Sequence, residues 1–307
     1  MGVISSHEKA FCLGEYLINN KGILKKAPVE LDSTGVVLPK SILVIDSGVG
    51  GLSICQSILA QQPELQIIYF ADSAYFPYGL LPEKELRARL TFIVGKMLAV
   101  HQPKLVVLAC NTVSTLVLPE LRSLFDIPFV GVVPAIKPAA IMSNNKRIGL
   151  LATPATVLRP YTDQLIDDYA QGCEVIKVGS SELVIEAESL LNDQVVNRKV
   201  IDEILNPFRP TENKLPVDTV VLGCTHFPLL KTYLSESLPD VRWVDSGEAV
   251  ANRVTHLLAG FSKSGMDKFQ FEVEPHQLYF SKPIAHKSEF SNGLQNLGFK
   301  SFQFQTL

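Results

Sequence analysis

The feature that most constrains this chain is a rhythm that starts at Ser41. Short β-branched and leucine-rich runs, each bounded by Gly, Pro or Asp, alternate with longer stretches of helical spacing. Strands that recur in step with helices pair in parallel, because each crossover helix carries the chain back to the end of the sheet where the next strand begins. The runs predict eight strands, at 42–45, 67–70, 105–108, 129–132, 147–151, 174–178, 219–222 and 242–244, which fall into two sets of four. Residues 1–40 lack such periodicity, carry Lys25-Lys26 and place Gly35 and Pro39 just before the first run, and so read as an N-terminal extension.

The two sets resemble each other. LVVLAC ending at Cys110 matches TVVLGC ending at Cys224, and ILVIDS from Ile42 has a looser counterpart in IGLLAT from Ile148. Each cysteine directly follows its strand, and each is followed by a leucine-rich helical stretch and then by another strand. An internal duplication accounts for this pattern. Ligands of open parallel sheets sit beyond the C-terminal strand ends, where the sequence puts Asp46, Cys110, Thr153 and Cys224. If the two halves face each other, both cysteines meet across one cleft.

Composition removes several function classes. Apolar residues make up 47% of the chain and charged residues 19%, enough core-forming material to exclude bulk disorder. The net charge is −3, which argues against nucleic acid or an anionic membrane as partner. The longest apolar candidates, such as 129–136, are strand-sized, well short of the roughly 18 residues that span a bilayer. Five scattered cysteines and no signal-peptide pattern predict a cytoplasmic protein with free thiols.

The loop Asp46-Ser47-Gly48-Val49-Gly50-Gly51 joins a strand to a helix, so its N–H groups can cradle a carboxylate or other anion. A dinucleotide fingerprint fits poorly, since Ser53 stands where its third Gly belongs and Asp46 would face the pyrophosphate. A tight turn needing positive φ would explain the glycines alone. Cys110-Asn111-Thr112 and Cys224-Thr225-His226 carry the most information. Buried, inert cysteine is the simpler reading for Cys12, Cys55 and Cys173, but it fits badly with two cysteines recurring at matched places ahead of predicted helix starts, which favour thiolates. Zinc would find at most two ligands in Cys224 and His226, and a Cys–His hydrolase leaves the second cysteine unused. In Phe76-Pro77-Tyr78-Gly79, turn chemistry accounts for Pro77 and Gly79, while Tyr78 reads equally as a substrate-facing or a capping aromatic.

With these motifs in order and at this spacing, the chain resembles the glutamate racemases of the cofactor-independent aspartate/glutamate racemase superfamily. The resemblance runs from about Ser41 to Gly260 and rests on DSGVGGL from Asp46, PYG from Pro77, CNT from Cys110 and GCTHFP from Gly223. VVPAIKP from Val132 and the N-terminal extension further resemble the proteobacterial branch, whose members are activated by the peptidoglycan precursor UDP-MurNAc-alanine. Leu80-Leu81-Pro82 departs from it, replacing a more polar stretch. The resemblance implies two pseudo-symmetric parallel-sheet α/β domains facing each other across a central cleft. Residues 41–133 with about 247–307 would form the first and 134–246 the second, with a closing strand and helix after about Gly260. It implies no cofactor and no metal, with Cys110 and Cys224 as the two acid/base groups, Cys110 acting on D-glutamate and Cys224 on L-glutamate. Asp46 would assist Cys110 and His226 would assist Cys224. Ser47, Asn111, Thr112 and Thr225 are the candidate donors around the substrate carboxylate, Tyr78 and Gly79 further substrate contacts, and Asp72 and Glu188 either tuning groups or solvated acids. The same resemblance leaves open aspartate or hydantoin racemization, and a non-catalytic role of the kind reported for members that bind and inhibit DNA gyrase.

Overall fold

The computed structural model describes residues 41–191, 194–262, 275–283, 298–299 and 302–304, together with three short strands in the extension. Those three, β1 (Cys12–Leu13), β2 (Tyr16–Ile18) and β3 (Leu24–Lys26), pair antiparallel. The chain then runs β4 (Ser41–Asp46), α1 (Leu52–Gln61), β5 (Gln66–Ala71), α2 (Glu83–His101), β6 (Val106–Leu108), α3 (Asn111–Leu124) and β7 (Phe129–Gly131). It continues with α4 (Ile136–Met142), β8 (Arg147–Ala152), α5 (Pro154–Val157), α6 (Pro160–Tyr169), β9 (Glu174–Gly179), α7 (Glu182–Leu191) and α8 (Arg198–Leu205). Last come β10 (Thr219–Leu222), α9 (Lys231–Ser237), β11 (Arg242–Val244), α10 (Gly247–Ser262), β12 (Gln277–Phe280) and β13 (Phe302–Phe304).

Two parallel sheets result, in the orders β13-β12-β5-β4-β6-β7 and β11-β10-β8-β9. All eight strands expected from the sequence are present, with ends within one residue of expectation. Their text is legible because helices cover both sheet faces. Every residue of β4 and β5 is buried, so the runs are continuously apolar instead of alternating. Alternation survives in what each side chain meets. Ile42, Val44, Ile67 and Tyr69 pack toward Ile58 of α1 and Val254 of α10, whereas Leu43, Ile45, Ile68 and Phe70 pack toward Leu90 of α2 and Val117 of α3. The second sheet repeats the arrangement, with Leu151, Val220 and Leu222 on the α7 and α8 side and Ile148, Leu150 and Val221 on the α4 side.

The tail differs from expectation. After α10 there are two described strands, β12 added in parallel beside β5 and β13 beside β12, where one was expected; the closing helix expected there lies outside the described residues. No helix among the described residues is long and apolar enough to cross a membrane.

Strand order fixes where a site can form. From β4 the chain adds β5 on one side and then returns to add β6 on the other; from β8 it adds β9 and then returns to add β10. Each reversal opens a crevice at the C-terminal strand ends, where successive loops part to opposite sides. Asp46 and Cys110 flank the first crevice, Thr153 and Cys224 the second.

Candidate active site

Cys110 sits in extended conformation immediately before α3, and its carbonyl accepts the Ser114 N–H at 3.0 Å. Burial, then the charge of Asp46, pushes its thiol well above the ordinary value, although the amides of Val113 and Thr112 at the helix start work the other way. Cys224 follows β10 and is buried, whereas Cys110 is partly exposed. The α-helix expected directly after it is displaced. A 3₁₀ turn, Phe227–Leu230, intervenes, closed by the Phe227 N–H on the Cys224 carbonyl at 3.1 Å, and α9 begins only at Lys231.

One cavity is lined by Tyr78, Gly79, Cys110, Asn111 and Thr112 from the first sheet's loops and by Thr153, Thr156, Cys224, Thr225 and His226 from the second's. The two cysteines therefore do meet across a cleft. The cavity is narrow, about 20 Å³, and partly open to the outside. Asn111 is buried, and neither its side-chain oxygen nor its nitrogen has a partner among the described residues. A buried amide left so is costly unless a ligand satisfies it. Hydroxyls of Thr112, Thr153 and Thr156 lie 3.0–3.4 Å apart from one another across the cleft, and the Thr225 hydroxyl donates to the Ala109 carbonyl at 3.1 Å.

Asp46 and Ser47 are buried but are not among the lining residues. The Asp46 carboxylate accepts the N–H groups of Ser47 and Gly51, both at 2.7 Å, and the Val49 N–H goes to Glu188 Oε1 at 3.1 Å. Three amides expected to cradle a bound anion are thus taken by the protein's own carboxylates. Burial raises the proton affinity of Asp46, with His226 and the two amides opposing. The loop glycines are not explained by positive φ either, since among the described glycines only Gly172 and Gly298 adopt it. Space explains them. A Cβ on Gly48 would lie 2.4 Å from Glu188 Oε1, and one on Gly50 would lie 2.2 Å from His226 Nδ1.

His226 Nδ1 is 3.8 Å from Cys224 Sγ, and Nε2 is 2.8 Å from Glu188 Oε1. Burial alone would lower this imidazole's pKa; hydrogen bonding to Cys224 and Glu188 outweighs it and raises it well above the ordinary value. An imidazolium there stabilises a thiolate on one side and a carboxylate on the other. Asp72 is buried in an ion pair with Arg89, so neither Asp72 nor Glu188 is a solvated acid. Sequence reasoning left Thr153 and Thr156 out of the site, although Thr153 stood at the duplicated strand end. Nothing in the local sequence links Glu188 to Val49 or His226, because α7 reaches them only through the fold. Cys55 is a core residue whose thiol burial pushes upward, as its inert reading requires.

Two parallel α/β units each present a cysteine to one cavity between them. The chain belongs to the Asp/Glu/Hydantoin racemase family, whose model matches residues 42–254. It is 46% identical over 267 residues to a glutamate racemase of Aliivibrio fischeri, covering 87% of this chain and 97% of that one. A glutamate racemase of Vibrio cholerae is 43% identical over 263 residues, covering 85% and 95% respectively. Among solved structures, Escherichia coli glutamate racemase, crystallised with L-glutamate and the activator UDP-MurNAc-Ala, superposes with a TM-score of 0.79 at 40% identity, covering 87% of this chain and 98% of that one.

Proposed function

We propose that the chain interconverts L- and D-glutamate without a cofactor, using Cys110 and Cys224 as opposed acid/base groups. The observation that carries the reading is the placement of both thiols on one narrow cavity, each from a different sheet. In each turnover one thiolate takes the α-proton, and the thiol on the opposite face returns a proton to the planar carbanion. The pair ends with its protonation reversed, so no net proton is consumed. Asp46, with its raised proton affinity, serves as acceptor for the Cys110 proton, and the His226–Glu188 pair serves Cys224. Asn111 and Thr112 hold the substrate carboxylate as the carbanion forms, Thr225, its hydroxyl fixed on the Ala109 carbonyl, lines the wall with Gly79 and the Tyr78 ring, and Ser47 supports Asp46. The site lies between a first unit, residues 41–133 with the described residues from 247 onward, and a second, residues 134–246. As an isomerase of this kind the protein supplies D-glutamate for peptidoglycan in the cytoplasm, with UDP-MurNAc-alanine as its activator.

Incubating purified protein with L-glutamate in heavy water, after dialysis against a chelator and a carbonyl-trapping reagent, tests this reading. Circular dichroism of glutamate should decay to zero with α-deuteration of both enantiomers, faster when UDP-MurNAc-alanine is present. Turnover of aspartate in place of glutamate, or turnover restored only by pyridoxal phosphate or a metal, would refute it.

The pH dependence follows from the same geometry. Turnover needs one thiol protonated and the other ionised, and burial and then Asp46 hold the Cys110 thiol above its ordinary value. The alkaline limb of kcat/KM should therefore lie above pH 9.0, the ordinary thiol value. A falling limb centred below that value would contradict the assignment.

A further inference from the structure

The buried wall beside Cys110 contains an ion pair that proton transfer does not use. Asp72 follows β5 and has no solvent exposure; its N–H donates to the Asp46 carbonyl at 2.8 Å and its own carbonyl accepts the Tyr75 N–H at 2.9 Å. Arg89 on α2 grips the carboxylate with both arms of its fork, Nη2 to Oδ1 at 2.6 Å and Nε to Oδ2 at 2.9 Å. Its guanidinium also stacks over the Tyr75 ring, 4.4 Å from the centroid. Asp72 Oδ2 additionally accepts the Tyr78 hydroxyl at 3.0 Å.

A buried ion pair is weak evidence for stability, because desolvation offsets most of its attraction. What a two-armed guanidinium clamp supplies is direction, since it fixes the plane and both oxygens of the carboxylate. The group so fixed holds Tyr78, which lines the cavity and is followed by Gly79, also a lining residue. The Tyr78 hydroxyl is turned to Asp72, so a substrate meets the ring and the neighbouring backbone and not the phenol oxygen.

We propose that Asp72 and Arg89 are positioning residues which hold the Tyr78 ring, and with it the Pro77-Tyr78-Gly79 wall, in the geometry that binds substrate. The kinetic part of this inference rests on the racemase reading. Losing the hold loosens a wall that touches substrate equally in ground and transition states, so KM rises while kcat is kept.

Three variants and two readouts test it. Tyr78→Phe removes one oxygen and keeps the ring; Asp72→Asn keeps an acceptor for Tyr78 but breaks the ion pair; Arg89→Lys keeps the charge but loses the fork. Tyr78→Phe and Asp72→Asn should raise KM for glutamate about tenfold in both directions, with kcat within about threefold and the pH limbs unmoved, and Arg89→Lys should be intermediate. Alkylation of Cys110 by iodoacetamide, followed by mass spectrometry, should accelerate about fivefold in Asp72→Asn as the wall loosens. Unchanged KM and labelling in Tyr78→Phe and Asp72→Asn, with only thermal stability lowered, would reduce the pair to a structural role and overturn the proposal. A fall in kcat at constant KM would overturn it as well. If the parent protein failed to turn over glutamate while labelling still accelerated, the racemase reading would fall and the positioning role would stand.

Discussion

Replacing either Cys110 or Cys224 by alanine should lower racemization by several orders of magnitude, because each turnover passes through both faces of the α-carbon. A positioned acid/base group contributes roughly 10²–10⁴-fold, and a cycle that needs two of them fails when one is gone. The double variant should therefore be little worse than either single one, measured as α-deuteration and loss of optical rotation. L- and D-glutamate have equal free energy, so kcat/KM must fall equally in both directions whichever cysteine is removed. The two faces are separated by a half-reaction instead. With a β-substituted glutamate analogue, elimination of HX needs only one base to abstract the α-proton. Cys110→Ser and Cys224→Ser should each retain elimination from one enantiomer, and from opposite ones. Two serine variants preferring the same enantiomer, or an alanine variant racemizing at the parental rate, would end the two-faced assignment.

The two arms of that cycle are unequal although the cysteines recur at matched positions. Cys110 has a carboxylate nearby, Asp46, whose own proton affinity burial raises. Cys224 has an imidazole linked to a carboxylate, His226 with Glu188. Duplication fixed where the thiols stand relative to strand ends, whereas the groups beside them came from different places, the end of β4 in one case and the loop after β10, backed by α7, in the other.

That difference also sets how much the sequence revealed. Strands covered on both faces, such as β4 and β5, write themselves as apolar runs. The edge strand β9 was legible from its β-branched Val175, Ile176 and Val178 although none of its residues is buried, and strand-end chemistry exposed both cysteines. The short β12 and β13 were less legible because the text after Gly260 carries little of that rhythm. In the glycine loop the residue pattern was read correctly and its cause was not: Gly48 and Gly50 are small because Glu188 and His226 occupy the space a side chain would need. Contacts of that kind join residues more than a hundred positions apart, and no local spacing encodes them. Asp72 looked like one acid among many for a different reason: its partners Arg89 and Tyr78 are near in the chain, but only α2 and a turn bring them onto its carboxylate.

The crowding at Gly50 leads to the second large effect. An added Cβ would stand 2.2 Å from His226 Nδ1 and 2.6 Å from both Cε1 and Cγ, so the whole near edge of the ring is struck. The ring has little room to retreat. It is buried, bonded through Nε2 to Glu188 at 2.8 Å and packed against Phe76, with centroids 5.9 Å apart. Moving it breaks its contact with Cys224, with Glu188 or with both. Gly50→Ala should therefore reduce kcat/KM at least about 100-fold, to the level of His226→Ala, since each removes the imidazole from Cys224. It should also cost about 1–3 kcal/mol of stability by overpacking. A double variant separates the clash from any general damage to the loop. In a His226→Ala background the obstructing ring is absent, so adding Gly50→Ala should cost little further stability in urea unfolding and little further activity. Near-parental turnover by Gly50→Ala, or an undiminished stability loss in the His226→Ala background, would show that the loop and the imidazole are not coupled as their separation requires.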